Sequence, residues 1–284
     1  MIKVSMNGKD MGEVIIETYP NGETRLNLTD LIPNGLTIYS INWKYESDSD
    51  FTTLAFIADY IRTKSNNYNK ILTELNILYM PYSRMDRSEN NSVFTLKTAC
   101  KLINNMEFDS VIVNEAHSSI TSELLNNCRD LNISEILFGL AEKDIALSND
   151  NIPLICFYPD KGAKERYSSV IKKGTYLYGK KVRDFDTGRI IDYDIVDKDI
   201  FDVMNNKEPF NVIIIDDLSS YGGTFVQASK KLKEIGANKV YLVVAHAEES
   251  VYKGELFDHI DKLYTTNSIL KEALNDKTTV INLI

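Results

Sequence analysis

Five short apolar runs constrain this chain more than any other feature. NILYM (76–80), SVIVN (110–114), LICFY (154–158), NVIIID (211–216) and VYLVVA (240–245) are strand-length, rich in β-branched and aromatic residues, and almost unbroken. A strand with one wet face alternates polar and apolar residues, whereas an unbroken run suits a strand covered on both faces. Amphipathic stretches lie between the runs. In 225–236, Phe225, Ala228, Leu232 and Ile235 share one face of a helix, with Lys230, Lys231, Lys233 and Glu234 on the other. Gly236, with Asn238 just beyond, is a stop signal for that helix. Strands alternating with helices predict an α/β architecture with mainly parallel sheets flanked by helices.

The chain has 284 residues, which at roughly 150 residues per domain suggests two domains. No Pro/Gly/Ser-rich linker and no strong internal repeat divides it. The polar stretch AEKDIALSNDN (141–151) precedes a fresh strand and sets the expected division at 1–143 and 144–284. The stretch 179–207, polar and charge-rich, is expected to be the least structured. Lys and Arg number 32 against 41 Asp and Glu, a formal charge of −9. The resulting pI near 5.0 argues against a general nucleic-acid binder, whose phosphate contacts need a basic face. It leaves small phosphorylated ligands open, because backbone N–H groups and Mg²⁺ can neutralise them locally. No apolar run approaches the ~20 residues of a membrane span, and MIKVSMNGKD lacks a basic-then-apolar leader. Cys100, Cys128 and Cys156 are odd in number, far apart and set in apolar stretches, which predicts reduced core thiols. A cytoplasmic protein with no membrane partner is expected.

The segment NVIIIDDLSSYGGTFVQAS (211–229) carries the clearest chemistry. A buried strand runs into Asp216 and Asp217, then a small-residue loop, then Gly222-Gly223-Thr224 and a helix. Ligands in open α/β sheets sit beyond the carboxyl ends of strands. Glycines let the backbone approach a ligand, and a helix start offers unpaired N–H groups and a positive dipole end. Such a loop would hold a phosphate, with the two carboxylates facing a polyol or a hydrated cation. The competing reading is an ordinary turn with solvated acids and a Thr cap. Gly-Gly-Thr alone is weak, and its combination with a buried strand and an acidic pair favours the ligand loop.

This segment resembles the ribose-phosphate loop of type I phosphoribosyltransferase folds, and the remaining motifs resemble one branch, the ribose-phosphate pyrophosphokinases (phosphoribosyl pyrophosphate synthetases). TYPNGE (18–23) is similar to the family's aromatic-x-Asp-Gly-Glu loop, with Asn21 for Asp. YMPYSRMDR (79–87) is similar to its Tyr-Ala-Arg-Gln-Asp-Arg loop, and VNEAHSS (113–119) to its Asp-Leu-His segment. YPDKGAKER (158–166) resembles its Pro-Asp-x-Gly-x-x-x-Arg segment and TTNSI (265–269) its Thr-Asn-Ser-Ile segment. Six matches in the family's order are far more specific than any one.

The resemblance implies two type I phosphoribosyltransferase-like domains with the active site between them, the first on the ATP side, the second bearing the ribose-phosphate loop and a catalytic flap. It implies Mg²⁺-dependent transfer of the β,γ-diphosphate of ATP to the 1-hydroxyl of ribose 5-phosphate, a step of nucleotide biosynthesis. Tyr19, Asn21, Glu23, Arg84, Asp86 and His117 would bind ATP, the Tyr19–Glu23 loop reaching the adenine of a neighbouring subunit in a dimer or larger homo-oligomer. His117 and Asp160 would serve Mg²⁺. Lys181 and Arg183, in GKKVRDFDTG (179–188), resemble the family's Lys-x-Arg on the flap and would, with His117, form the catalytic set. Asp216, Asp217, Ser219, Ser220, Tyr221, Gly222, Gly223 and Thr224 would bind the acceptor. Two fixed cations suit the reaction, since charge on a transferring diphosphoryl group must be held in line. No side chain is an obvious general base.

Three departures from the family pattern matter. Met85 stands where the family has Gln, which removes a hydrogen-bonding side chain from the adenine site. Ser220 and Tyr221 stand where most relatives have Asp and Thr, removing one acid and adding a ring whose face can stack on a base at ~1–3 kcal/mol. The loop Ser-x-Gly-Gly-Thr-Phe resembles a variant branch that accompanies nicotinamide salvage, which makes ADP-ribose an alternative acceptor and NAD biosynthesis an alternative setting. The chain also ends soon after TTNSI, at VINLI, so the family's final helix is absent or very short. A phosphoribosyltransferase would not need the TYPNGE, Arg84 and His117 elements. A non-catalytic regulatory paralogue would not need to keep His117, Asp160, Lys181, Arg183 and the acidic pair.

Overall fold

The computed structural model describes residues 1–28, 33–148, 152–171, 176–183, 190–196 and 208–284. It divides into two compact units, Met1–Leu131 and Asn132–Leu283.

The first unit opens with β1 (Ile2–Met6), β2 (Lys9–Glu13), β3 (Ile15–Thr18), β4 (Thr24–Asn27) and β5 (Leu36–Trp43). It continues through α1 (Ser49–Arg62), β6 (Lys70–Ile77), α2 (Thr95–Asn104), β7 (Ser110–Asn114), α3 (Ile120–Leu124) and β8 (Cys128–Leu131). The six-stranded sheet has the order β2-β1-β5-β6-β7-β8. β1 is antiparallel to both neighbours, while β5 to β8 run parallel. β3 and β4 form a separate antiparallel hairpin, all four β3 residues being exposed. The run at 76–80 is only half strand. β6 ends at Ile77, the Leu78 N–H donates to the Trp43 carbonyl at 2.9 Å, and the buried Leu78 and Met80 belong to the turn. Apolarity there reports burial and not extension.

The second unit runs α4 (Ile133–Leu147), β9 (Leu154–Tyr158), α5 (Lys161–Tyr167), β10 (Tyr176–Arg183), β11 (Ile190–Val196) and β12 (Phe210–Ser219). It closes with α6 (Gly223–Glu234), β13 (Ala237–Ala247), a 3-10 turn at Glu249–Tyr252, α7 (Leu256–His259), β14 (Lys262–Thr266) and β15 (Thr278–Ile281). The seven-stranded sheet has the order β11-β10-β9-β12-β13-β14-β15, parallel except for β10–β11. Successive side chains of a strand point to opposite faces, and here both faces are covered. Val212 and Ile214 join Phe225, Ala228 and Leu232 of α6, while Ile213 and Ile215 join Leu137, Phe138 and Ala141 of α4. That explains the unbroken apolar run, each such buried side chain contributing about 1.5–3 kcal/mol relative to exposure. α6 covers the expected helix, and Gly236 follows it at φ +96°, a left-handed value that suits glycine.

Two differences from the sequence reading have physical causes. The boundary expected at 143/144 falls inside α4, whose apolar stripe packs on Tyr241, Val243 and Ala245 of the second sheet. The polar loop signal lies after the helix, whereas the fold changes units before it, at Leu131. Part of the stretch 179–207 is strand, because Tyr193 and Ile195 bury themselves in the second core and pair β11 with β10. Residues 184–189 and 197–207 lie outside the described residues. All three cysteines are free, Cys100 and Cys156 buried and Cys128 half-buried. No described helix is long and apolar enough to cross a membrane.

Candidate active site

In the second unit the expected acceptor residues gather at the carboxyl ends of β9 and β12. β12, a central strand, carries Asp216 and Asp217 toward its carboxyl end, where the Asp217 N–H donates to Asp216 Oδ1 at 3.0 Å and the Ser134 hydroxyl donates to the Asp216 carbonyl at 3.4 Å. Arg166 Nη1 lies 3.6 Å from the largely buried Asp217. Burial, then the neighbouring charges of Asp217 and Asp160, hold the Asp216 carboxyl well above the usual carboxylate range. Asp160 starts α5, its Oδ1 accepting from the Ala163 N–H at 2.9 Å. Tyr193 closes the group, its hydroxyl donating to the Pro159 carbonyl at 2.9 Å, and burial followed by Asp160 and Asp216 raises its pKa. A Cβ at Gly179 would collide with that hydroxyl, so the close approach of β10 to Tyr193 requires glycine.

The loop beyond β12 is built for close approach. Gly222 caps α6 at φ +78°, where a side chain would be strained. Gly223 and Thr224 open the helix, whose first N–H groups lack intrahelical partners. Tyr221 stands 61% exposed beside them. Ser219 is buried, and among the described residues its hydroxyl finds no hydrogen-bond partner. Leaving such a group unsatisfied costs about 1–3 kcal/mol. Ser220 is tied to Glu248, which the sequence reading did not single out, its hydroxyl donating to Glu248 Oε2 at 2.6 Å. Lys181 and Arg183 fall on β10 opposite Tyr193 and Ile190 of β11. Their side chains lie outside the described residues.

The TTNSI motif is structural. The Thr266 hydroxyl donates to the Ala245 carbonyl at 2.7 Å, and the Ser268 hydroxyl lies 2.7 Å from Nδ1 of the buried His246, fastening β14 to the end of β13.

In the first unit the expected nucleotide residues are spread over three loops. The β3–β4 turn is self-organised. The Tyr19 N–H donates to the Glu23 carbonyl at 2.8 Å, and Asn21 Nδ2 donates to Glu23 Oε2 at 2.9 Å. Arg84 and Met85 are exposed and Asp86 half-buried beyond β6, on a loop anchored by Tyr82. Tyr82 has φ +64°, and its hydroxyl and that of Tyr45 both donate to Asp48, which lowers the Asp48 pKa. His117 is half-buried after β7, behind a sharp bend at Glu115 (φ +54°) that is fixed by its N–H donating to the Leu131 carbonyl at 2.8 Å. Such left-handed values in non-glycine residues cost of order 1–3 kcal/mol and cluster at ligand sites. A groove of about 740 Å³ between α1 and α2, lined by Phe51, Tyr82, Val93, Ala99 and Leu102, contains none of the expected ATP residues.

Among the described residues no three His, Cys, Asp or Glu side chains are arranged to close round a metal ion. An open arrangement fits Mg²⁺, which keeps several waters and takes one or two carboxylates together with substrate phosphates.

Two α/β units with parallel sheets flanked by helices, the second with a phosphate-type loop at its strand ends, define a tandem phosphoribosyltransferase-like fold. The phosphoribosylpyrophosphate synthetase of Mycobacterium smegmatis shares it, with a TM-score of 0.69 over 95% of this chain and 86% of that one at 15% identity. Curated relatives carry the corresponding name. Ribose-phosphate pyrophosphokinase of Sulfurisphaera tokodaii is 27% identical over 94% of this chain and 87% of its own length. Its counterpart in Pyrococcus furiosus is 28% identical over 90% and 86%. No protein-family profile matches the chain. The chain is thus related over nearly its whole length to an enzyme family, the ribose-phosphate pyrophosphokinases, as the motifs imply. The narrower likeness to the nicotinamide-salvage branch rests on the loop residues alone.

Proposed function

We propose that the protein transfers the β,γ-diphosphate of ATP to the anomeric 1-hydroxyl of ribose 5-phosphate, giving phosphoribosyl pyrophosphate and AMP. The observation that carries this reading is the acceptor loop. Asp216, Asp217 and Asp160 gather at strand ends beside a glycine-capped helix start, within a chain related to ribose-phosphate pyrophosphokinases over nearly its whole length. The phosphate of the acceptor would sit on the N–H groups of Gly223 and Thr224, with the buried Ser219 hydroxyl supplying a further bond. Asp216 and Asp217 would take ring hydroxyls. The 1-hydroxyl oxygen bonds to the β-phosphorus, the bond from that phosphorus to the α,β-bridging oxygen breaks, AMP leaves, and the hydroxyl proton passes to solvent. Bound Mg²⁺, held by Asp160 and His117 with phosphate oxygens, would offset charge on the phosphates. Lys181 and Arg183 would stabilise the group in transfer. Arg84, Asp86, His117 and the Tyr19–Glu23 loop would hold ATP, the loop serving a second copy of the chain.

One observation favours a second acceptor. Tyr221 is 61% exposed at the mouth of the loop, a ring face that could stack on the adenine of ADP-ribose. Incubating the protein with Mg-ATP and either acceptor, and following AMP by chromatography, tests both. AMP chiefly with ribose 5-phosphate supports the first reading and AMP chiefly with ADP-ribose the second. AMP with neither sinks both in favour of a regulatory role.

A further inference from the structure

A side chain outside the loop completes it. β12 and β13 run parallel with Ser219 opposite Ala247, and the ladder continues one residue further as the Glu248 N–H donates to the Ser219 carbonyl at 2.9 Å. Glu248 therefore leaves its strand beside Ser220. Its Oε2 accepts from the Ser220 hydroxyl at 2.6 Å and from the Ser250 hydroxyl at 3.2 Å, and the two hydroxyls are 3.1 Å apart. The following turn holds the loop closely. A Cβ at Gly254 would lie 3.1 Å from the Tyr221 carbonyl oxygen, and one at Gly222 would lie 2.9 Å from the Leu256 side chain. Residues 248–256 thus form a second wall against the acceptor loop.

A serine hydroxyl has one proton and two lone pairs, and unconstrained it turns to suit whatever it meets. The short bond to a carboxylate is charge-assisted. It commits the Ser220 proton to Glu248, so toward any further partner the Ser220 oxygen, polarised by the charge behind it, acts as an acceptor, with a lone pair to spare even when the Ser250 hydroxyl donates to it. Ser220 so held behaves as a neutral hydrogen-bond acceptor with a carboxylate one bond away.

Resting on the acceptor-loop reading above, we propose that Glu248 is a specificity-determining positioning residue. It orients Ser220 to accept a hydrogen bond from a ribose hydroxyl of the acceptor, so that the loop takes sugars bearing that hydroxyl and rejects those lacking it. The bond itself would be worth about tenfold in acceptor binding.

The test compares wild type, Glu248→Gln, Glu248→Ala and the double variant Glu248→Ala/Ser220→Asp. Acceptor and ATP KM are read from AMP release, ribose 5-phosphate and ADP-ribose binding from calorimetry, and folding from thermal melts. A glutamine can turn its amide N–H toward Ser220 and reverse that bond. Glu248→Gln and Glu248→Ala should therefore raise the acceptor KM about tenfold with the KM for ATP unchanged and the melting point held. The double variant, which returns an acceptor-only side chain to the loop, should recover the acceptor KM. Unchanged acceptor KM in both single variants, or equal loss toward ATP, overturns the assignment to Glu248 while the reaction stands. Wild type that binds an acceptor without releasing AMP rejects the reaction alone. The role of Glu248 is then supported if Glu248→Gln binds that acceptor about tenfold more weakly and overturned if it binds equally. Wild type that binds neither acceptor overturns both.

Discussion

The acceptor loop of the second unit and the nucleotide loops of the first are built on opposite plans. The acceptor loop is tied down at several points, with Asp217 against Arg166, Asp216 bonded through the Asp217 N–H, Ser220 fixed by Glu248, and Gly222 under Leu256. The expected nucleotide residues sit closer to the surface, Tyr19 50% exposed on a hairpin that pairs with no other described strand, and Ile15 and Ile16 of that hairpin 61% and 48% exposed. A site that must bind one small sugar precisely gains from being pre-organised within one chain. A hairpin with bare isoleucines gains from a neighbour that covers it. On the proposed reading, the contrast would let the chain carry its acceptor specificity internally and leave its adenine contacts to be finished by a second copy.

The largest effect is expected at Lys181. Lys181→Ala should cut AMP formation by about 10³-fold or more, because a fixed cation on a transferring phosphoryl group is worth ~10³–10⁵ in rate. The melting point should stay within a degree or two. Unchanged turnover would remove Lys181 from the catalytic set.

The assembly side is tested by Ile16→Lys. Sedimentation should show a smaller species, and the KM for ATP should rise about tenfold while ribose 5-phosphate binding by calorimetry is unaffected. Equal loss toward both substrates would erase the distinction between the two regions.

Pre-organisation of the acidic group has a stability cost that can be read against pH. The Asp216 carboxyl is raised by burial and by Asp217 and Asp160. The folded state therefore holds that proton where the unfolded chain, near pKa 3.9, has released it. Its stabilising share is complete below the unfolded value and is lost as pH rises through the folded one. Asp216→Asn should accordingly raise the melting point at pH 7 to 8, by ~2–4 °C for each kcal/mol relieved, with the gain vanishing below about pH 4. The same variant should lose acceptor binding. A gain that persists at low pH would mean that packing, and not charge, is responsible.

The smallest effect concerns the backbone. Gly222→Ala meets a left-handed φ of +78° and the Leu256 side chain at 2.9 Å. It should destabilise the protein by about 1–2 kcal/mol and weaken acceptor binding more than ATP binding.

The sequence reveals the second unit more fully than the first for a physical reason. LICFY and the core of NVIIID and VYLVVA are strands covered on both sheet faces, which writes itself into composition. β1 lies one strand in from the edge with only alternate residues buried, β2 is the edge strand, β3 and β4 lie outside the sheet, and none carries such a run. Asp216, Asp217 and Gly222 were legible because strand, acids and glycines are contiguous. Glu248 was not, since it reaches Ser220 across 28 residues and only the pairing of β12 with β13 brings them together. Arg166 stood within a quoted motif without a role until its approach to Asp217 gave it one. Tyr193 lay in a stretch whose polarity concealed an edge strand with one buried face.

The proposed reaction moves a whole diphosphoryl group to a ribose phosphate held by the second unit. Phosphorus NMR of the protein with Mg-ATP and ribose 5-phosphate reads this directly, repeated with ADP-ribose. The expected result is AMP together with a new pair of coupled diphosphate resonances on the sugar product of one acceptor. ADP with inorganic phosphate, or ATP left intact with both acceptors, would contradict it.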